Sequence, residues 1–290
     1  MTALRQRMIE DLRLRGYAER TVDAYVSAVA RLARHHGTAP DQLSEAQLRD
    51  YLVHLTSVRR LARPSLTVAL CGIRFFYEQT LGRHWTILDL ARPKSAKKLP
   101  VVLSREEVWR VLAAVRTPAY RTCLTTIYAC GLRLLEGINL HVPHVDGARG
   151  LLHIHHGKGG VDRMVPLPQA TVDLLRAHWR THRNPVWVFP APQRRPPRPI
   201  QDPTVGPIGP SSLQKAFVHA VRASGVTKPA HVHTLRHSYA THLLEAGVPV
   251  ALIQEYLGHS SPSTTAIYTH VTRELRDTAL DPINELMPHR

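Results

Sequence analysis

Four short clusters gather cationic, imidazole and hydroxyl side chains at points where the chain changes direction. In the first, Gly131-Leu132-Arg133 follows an apolar run, and Glu136 comes three residues after the arginine. Such a pair is either an exposed ion pair, worth roughly 0.2–0.5 kcal/mol, or a guanidinium beside a cleft that its carboxylate orients. In the second, Lys158 stands in Gly157-Lys158-Gly159-Gly160, where the glycines let an ammonium approach a phosphate closely. An ordinary solvated lysine fits the same spacing, and the nucleotide-cradling Gly-x-x-x-x-Gly-Lys-Ser/Thr pattern is missing. The third, His233-Thr234-Leu235-Arg236-His237-Ser238, sets His233 and Arg236 near the start of one helix. Backbone N–H groups and the helix dipole favour an anion there. Leu235, Tyr239, Leu243 and Ala246 form the expected core face of that helix. The fourth cluster runs from Leu257-Gly258-His259 to Tyr268, nine residues beyond His259. A phenol in that place is a packing residue, or a nucleophile if cations lower its pKa and a base takes its proton.

Holding these groups requires a mostly helical chain. The first ninety residues read as helices: Arg20 to Arg34, a second from an N-cap at Ser44 with Gln47 three residues on, and a third from Pro64 to Leu81. Ser104-Arg105-Glu106-Glu107 opens another helix as a capping box, and one more spans Tyr120 to Cys130. Leu151 to His156 and Arg163 to Leu167 flank the glycine-rich turn as a β-hairpin. His153 and His155 share a face of its first strand, but spacing supplies no third ligand, so no metal is expected. Helices follow near 169–182, 211–224, 234–246, 249–257 and 262–268. Residues 184–210 hold nine prolines and three arginines at 194, 195 and 198. They read as a long surface excursion, a contact for DNA or a neighbouring protomer or else a disordered insertion.

Composition narrows the partner. The 290 residues carry 38 Lys+Arg against 22 Asp+Glu, a formal charge of +16. Residues 1–98 contribute 17 basic against 9 acidic side chains and residues 99–290 contribute 21 against 13, an excess of eight in each part. Two equally basic parts suit a protein that closes around one polyanion. The stretch Arg92-Pro93-Lys94-Ser95-Ala96-Lys97-Lys98-Leu99-Pro100 reads as an extended basic linker between them. Three scattered cysteines suit neither a disulfide scaffold nor a cysteine-rich zinc module, and their odd number suits a reducing cytosol. Neither a signal peptide nor a transmembrane run is expected.

Taken in order, the four clusters resemble the signature of the tyrosine recombinase family, of the phage-integrase, Xer-like type. The likeness rests on Gly131-Leu132-Arg133-x-x-Glu136, Gly157-Lys158-Gly159 ahead of Arg163-x-Val165-Pro166-Leu167, His233-x-Leu235-Arg236-His237-Ser238, and Leu257-Gly258-His259 ahead of Thr264-Thr265-x-x-Tyr268. Thr21-Val22-x-x-Tyr25 and Leu99-Pro100-x-x-Leu103-Ser104 extend it over almost the whole chain. The resemblance implies a mainly α fold with a small β-hairpin or sheet in the catalytic domain, built as a two-domain clamp on duplex DNA. A helical, SAM-like core-binding domain would span 1–91, a basic linker 92–102, and the catalytic domain 103–290, with a C-terminal tail from about 273. The implied enzyme is a site-specific recombinase or integrase that works through a 3′-phosphotyrosyl intermediate, without metal or nucleotide cofactor. Tyr268 would be the nucleophile, and Arg133, Arg236 and His259 would stabilise charge on the phosphate. His233 would assist proton transfer, Lys158 would protonate the departing 5′-oxygen, and Glu136 would orient Arg133.

The implied partners are double-stranded DNA and a tetramer of protomers assembled on it, with the C-terminal tail docking on a neighbour. The implied setting is the cytoplasm, at the nucleoid, in the service of a mobile element or the chromosome. The motif departs from the family at Leu135, where a small residue is usual, and at Gly137; a leucine there is expected to change the packing beneath Arg133. Two other readings stand beside the recombinase. One is a noncatalytic DNA-binding regulator using Val250–Leu257 and Pro262–Tyr268 as a helix-turn-helix. The other is a type IB topoisomerase-like enzyme with the same chemistry and no strand exchange.

Overall fold

A computed structural model describes residues 2–90, 99–155, 162–192, 202 and 204–258. The chain divides into two compact units, Met1–Lys97 and Lys98–Arg290. The division falls within the segment read as a basic linker, of which residues 92–98 lie outside the described residues.

The first unit is all helical: α1 (Ala3–Leu14), α2 (Glu19–His36), α3 (Glu45–Val53), α4 (Arg63–Phe75) and the short α5 (Ile87–Leu90). Ser44 caps α3 in a full capping box, its hydroxyl accepting from Gln47 N–H while Gln47 Oε1 accepts from Ser44 N–H. This satisfies two backbone donors that the helix start would otherwise leave bare. The apolar stripes of α2, α3 and α4 meet in one core around Val22, Leu32, Leu48, Ile73 and Tyr77. Each such side chain contributes roughly 1.5–3 kcal/mol by leaving water.

The second unit is mostly helical with one small sheet. Its helices are α6 (Arg105–Ala113), α7 (Pro118–Ala129), α8 (Leu134–Ile138), α9 (Gln169–His182), α10 (Pro210–Ala223), α11 (Val232–Glu245) and α12 (Val250–Leu257). The strands β1 (Val145–Asp146), β2 (Leu151–Ile154) and β3 (Arg163–Pro166) form an antiparallel sheet in sequence order. The expected hairpin is β2–β3; β1 is an added strand that its two residues are too short to announce. The register pairs Leu152 with Val165 and Ile154 with Arg163. Leu152, Ile154, Arg163 and Val165 are buried on the inner face.

Two expectations need correction. Residues 184–210 are not simply a surface excursion, because both ends are built into the core. Asn184, Phe189 and Ile208 are buried, and Asn184 Oδ1 accepts from the N–H groups of Val186 and Trp187. An apolar residue at either end of a proline-rich segment anchors it, and the proline count hides those anchors. Second, α11 has no single apolar face. Its buried residues include Thr234, Arg236, Ser238, Thr241 and His242 as well as Leu235 and Tyr239, whereas Ala246 is exposed. A helix buried nearly all round must bond its polar side chains internally. Ser238 Oγ accepts from Leu103 N–H at 3.0 Å, and His242 bridges the Leu103 carbonyl at 2.9 Å and the Tyr128 hydroxyl at 2.9 Å. These bonds hold α11 against the start of the unit and the end of α7. The helix expected at 262–268 and the tail from about 273 lie outside the described residues.

Candidate active site

Glu136 is the hub of the site. It lies on α8, a five-residue helix that begins directly after Arg133. The Arg133 backbone N–H donates to Glu136 Oε2 at 2.8 Å, and Arg133 Nη1 donates to Oε1 at 2.7 Å. The i,i+3 pair is therefore no loose surface bridge, since the Glu136 side chain is only 9% exposed. A second arginine completes the hub. Arg163, at the inner face of β3, places Nη1 3.0 Å from Oε1 and Nη2 2.7 Å from Oε2. Arg236 approaches on the third side, its Nη1 3.9 Å from Oε2.

Burial alone raises the pKa of such a carboxyl. The hydrogen bonds and charge of Arg163, joined by those of Arg133, outweigh it and hold Glu136 at about 2. Three guanidinium groups are thus gathered by one carboxylate that is ionised at neutral pH.

The arginines also grip the end of α12. Arg133 Nη2 donates to the Gly258 carbonyl at 2.9 Å, Arg236 Nη2 donates to the Leu257 carbonyl, and Arg163 Nε donates to the Tyr256 carbonyl at 2.8 Å. Three consecutive carbonyls at a helix C-terminus thereby find the donors they lack within the helix. Arg236 Nη1 reaches back to the Gly131 carbonyl at 2.6 Å. Gly131 has a left-handed φ of +59°, and a Cβ there would sit 2.4 Å from the Tyr239 ring, so only glycine lets α11 come this close. Arg236 itself is 1% exposed, while the Arg133 side chain is 23% exposed and presents an edge to solvent.

His233 lies one turn before Arg236 on α11, with part of its ring in solvent and part set against the arginine cluster. Desolvation, then the charges of Arg236, His231 and Arg133, lower its pKa to about 4. The ring is neutral at neutral pH, able to accept a proton or a hydrogen bond.

Of the residues singled out from sequence, the fold brings together Arg133, Glu136, His233 and Arg236. Lys158, His259 and Tyr268 lie outside the described residues. Leu135 does not pack beneath Arg133: it is 48% exposed. The close packing falls instead at Gly137, where a Cβ would lie 2.5 Å from Ile127 Cγ1. Sequence reasoning missed Arg163 as a site residue. Its signal was the alternation of Arg163, Val165 and Leu167 on one strand face, which sets a charged residue on the buried side and demands a buried carboxylate. It also missed Asp162, the carboxylate whose apparent lack argued against a metal. Asp162 Oδ2 lies 2.7 Å from His155 Nδ1 and 3.6 Å from His153 Nε2. Among the described residues no helix is long and apolar enough to cross a membrane.

Known proteins show the family and the fold. The sequence profile of the phage integrase family matches residues 101–274, and that of the phage integrase N-terminal SAM-like domain matches residues 4–87. The chain is 38% identical over 289 residues to an integrase/recombinase of Sinorhizobium fredii, covering 99% of this chain and 90% of that protein. It is 32% identical over 279 residues to the tyrosine recombinase XerD of Bifidobacterium longum, covering 90% and 89%. In fold it is similar to a lambda integrase dimer bound to a COC′ core site, with a TM-score of 0.71, 17% identity, and coverage of 92% of this chain and 94% of that one.

Proposed function

This chain belongs to the phage integrase family, the tyrosine recombinases, and is a site-specific DNA recombinase; from that premise we propose how it cuts and rejoins DNA. Tyr268 attacks the scissile phosphate and forms a 3′-phosphotyrosyl bond, releasing a 5′-hydroxyl. Because the new ester keeps the energy of the old one, that hydroxyl or one from a second duplex reverses the step. Neither nucleotide nor metal is needed for it.

What the protein must supply is charge stabilisation on a crowded phosphate. The observation that carries the reading is the pair Arg133 and Arg236, both held by Glu136 and both donating to adjoining carbonyls of Leu257 and Gly258. Planar guanidinium groups match the nonbridging oxygens of a phosphate. Arg133 already has an edge in solvent, and in this proposal the buried Arg236 exchanges a carbonyl at the end of α12 for the phosphate. His259 is the next residue in the chain after Gly258 and is the third donor in this proposal. His233, kept neutral, accepts the tyrosyl proton directly or through water, and Lys158 protonates the departing 5′-oxygen.

Both units serve the same duplex in this reading, as a core-binding domain (1–91) and a catalytic domain (103–290) that clamp DNA from two sides. The first unit has a cleft of about 790 Å³ whose lining includes Arg31, Arg34 and Arg59, suited to phosphate backbone. Lambda integrase has been captured as a tetramer on a Holliday junction. We take this chain to assemble likewise on DNA at the nucleoid, with its tail from about 273 docking on a neighbouring protomer.

The test is Tyr268→Phe on a nicked suicide duplex bearing the recombination site. The unaltered enzyme is expected to accumulate a detergent-resistant protein–DNA adduct. The variant is expected to shift DNA in a gel as before and to form no adduct; an adduct that survives the substitution refutes the assignment.

A further inference from the structure

The outer face of the small sheet carries a second polar cluster, apart from the residues assigned above to cutting and rejoining DNA. His153 on β2 and His155, the residue just past its end, alternate with Leu152 and Ile154, so both lie on the side away from the core that those two fill. The register sets the next cross-strand neighbours. Ile154 pairs with Arg163, which leaves His155 and Asp162 facing each other one step further out. Val145 pairs with Leu152, which brings His144 alongside His153 on the other edge. The His153 and His155 rings lie 3.7 Å apart between centroids, and the His144 ring lies 4.2 Å from His155. His141 stacks on His144 at 5.1 Å and meets Trp187 edge-on, which steadies this side of the cluster.

We propose that His153, His155 and Asp162 form a binding site for a divalent transition-metal ion of the zinc class. One ligand atom from each lies within 4.8 Å of the others, and no other group among the described residues meets that condition. Two imidazoles and a carboxylate are the donor set of three-ligand zinc sites, with solvent in the fourth position. Donors bonded to one tetrahedral ion at about 2.0–2.2 Å stand about 3.2–3.6 Å apart. The 3.6 Å between His153 Nε2 and Asp162 Oδ2 therefore already fits, and the hydrogen-bonded 2.7 Å between His155 Nδ1 and Asp162 Oδ2 must open by less than about 1 Å. All three side chains reach solvent, being 33%, 34% and 46% exposed, so an ion can enter without unfolding the sheet. Imidazole nitrogen selects zinc, nickel, cobalt or copper over magnesium, which prefers oxygen alone. His155 and Asp162 bracket residues 156–161, so a bound ion joins both ends of the segment that contains Lys158.

The full chain, untagged and stripped with chelator, is titrated with Zn²⁺ against a chromophoric competitor, in parallel with His153→Ala/His155→Ala and Asp162→Asn. The control is His35→Ala/His54→Ala, which alters an imidazole pair in the other unit. The expected result is one equivalent bound by the unaltered chain and by the control. That equivalent is weakened by at least ~10-fold in Asp162→Asn and lost in the double variant. Zn²⁺ is expected to raise the melting temperature of the unaltered chain and the control, and that of the double variant much less. Co²⁺ at the same site is expected to give the visible bands of a four-coordinate ion. Identical zinc stoichiometry and affinity in the double variant overturn the proposal, as does equal competition by Mg²⁺. Asp162→Asn keeps every imidazole, so it reads the site even if the double variant folds poorly.

Discussion

Asp162 and Arg163 are neighbours in sequence and face opposite sides of one small sheet. Arg163 points inward, is 6% exposed, and meets a carboxylate that is 9% exposed. Asp162 points outward, is 46% exposed, and meets two imidazoles open to water. Each is a charged residue paired at about the same 2.7 Å. What differs is what happens when a partner is taken away. Inside, an abandoned guanidinium has no water to turn to, and its desolvation cost is no longer offset. Outside, solvent takes the partner's place at little cost. The inner cluster should therefore carry stability and geometry, and the outer one should be free to carry a ligand.

The largest effect is expected from Glu136→Gln. This change keeps the shape of the hub and removes its charge, leaving Arg163 and Arg133 facing a neutral amide. A loss of about 3–5 kcal/mol in unfolding free energy is expected by urea denaturation. Asp162→Asn should cost under about 1 kcal/mol in the same assay without metal. Equal losses at the two positions would break the contrast between the faces.

The same contrast has a pH form. The Glu136 pKa is lowered from an ordinary 4.5 to about 2. Its contribution is complete above pH 4.5 and is lost as pH falls towards 2, because the unfolded chain then binds a proton that the folded chain refuses. The shift corresponds to a stabilisation on the order of 3 kcal/mol. Stability measured from pH 6 down to pH 2 should fall more steeply for the unaltered chain than for Glu136→Gln. Parallel curves would mean that the hub does not hold its carboxylate ionised.

Packing around the hub gives a smaller effect. Gly137→Ala puts a methyl 2.5 Å from Ile127 Cγ1, and the short α8 must shift away from α7. About 1–3 kcal/mol is expected, read as a lower Tm. At the adjacent position, Leu135→Ala removes a side chain that is 48% exposed and should change stability by no more than about 0.5 kcal/mol.

These residues also show what a sequence can and cannot convey. Ser44 and Ser104 announced their helix starts because a capping box is local, its partners three residues apart. Arg133, Glu136, His233 and Arg236 were legible as candidates because each belongs to a short motif. That they converge was carried by their order along the chain and its likeness to a family, not by spacing. Arg163 was quoted within a motif and still overlooked, since its partner Glu136 lies 27 residues earlier and only the fold brings them together. The outer cluster was read halfway: the period of a strand put His153 and His155 on one face, but Asp162 joins them through the register of the hairpin. The departure from the family motif at Leu135 points to altered packing beneath Arg133, but the short α8 turns that side chain outward, 48% exposed, and packs closely at Gly137 instead.

The smallest predicted effect tests the outer face most sharply. In chelator, His153→Ala/His155→Ala should leave the unfolding free energy within about 0.5 kcal/mol of the unaltered chain. Both rings reach solvent, and the ring contacts their removal gives up are with each other and with His144 at the outer face of the sheet rather than with its core. The inner face keeps Ile154, Arg163 and Val165 untouched, and those residues hold β2 and β3 to the core. A loss above about 2 kcal/mol would mean that the imidazoles and Asp162 form a structural ion network like the one around Glu136. The two faces would then differ in exposure but not in role. A near-zero loss, set against the several kcal/mol expected at Glu136, leaves the outer cluster without a structural reason to gather two imidazoles and a carboxylate within 4.8 Å.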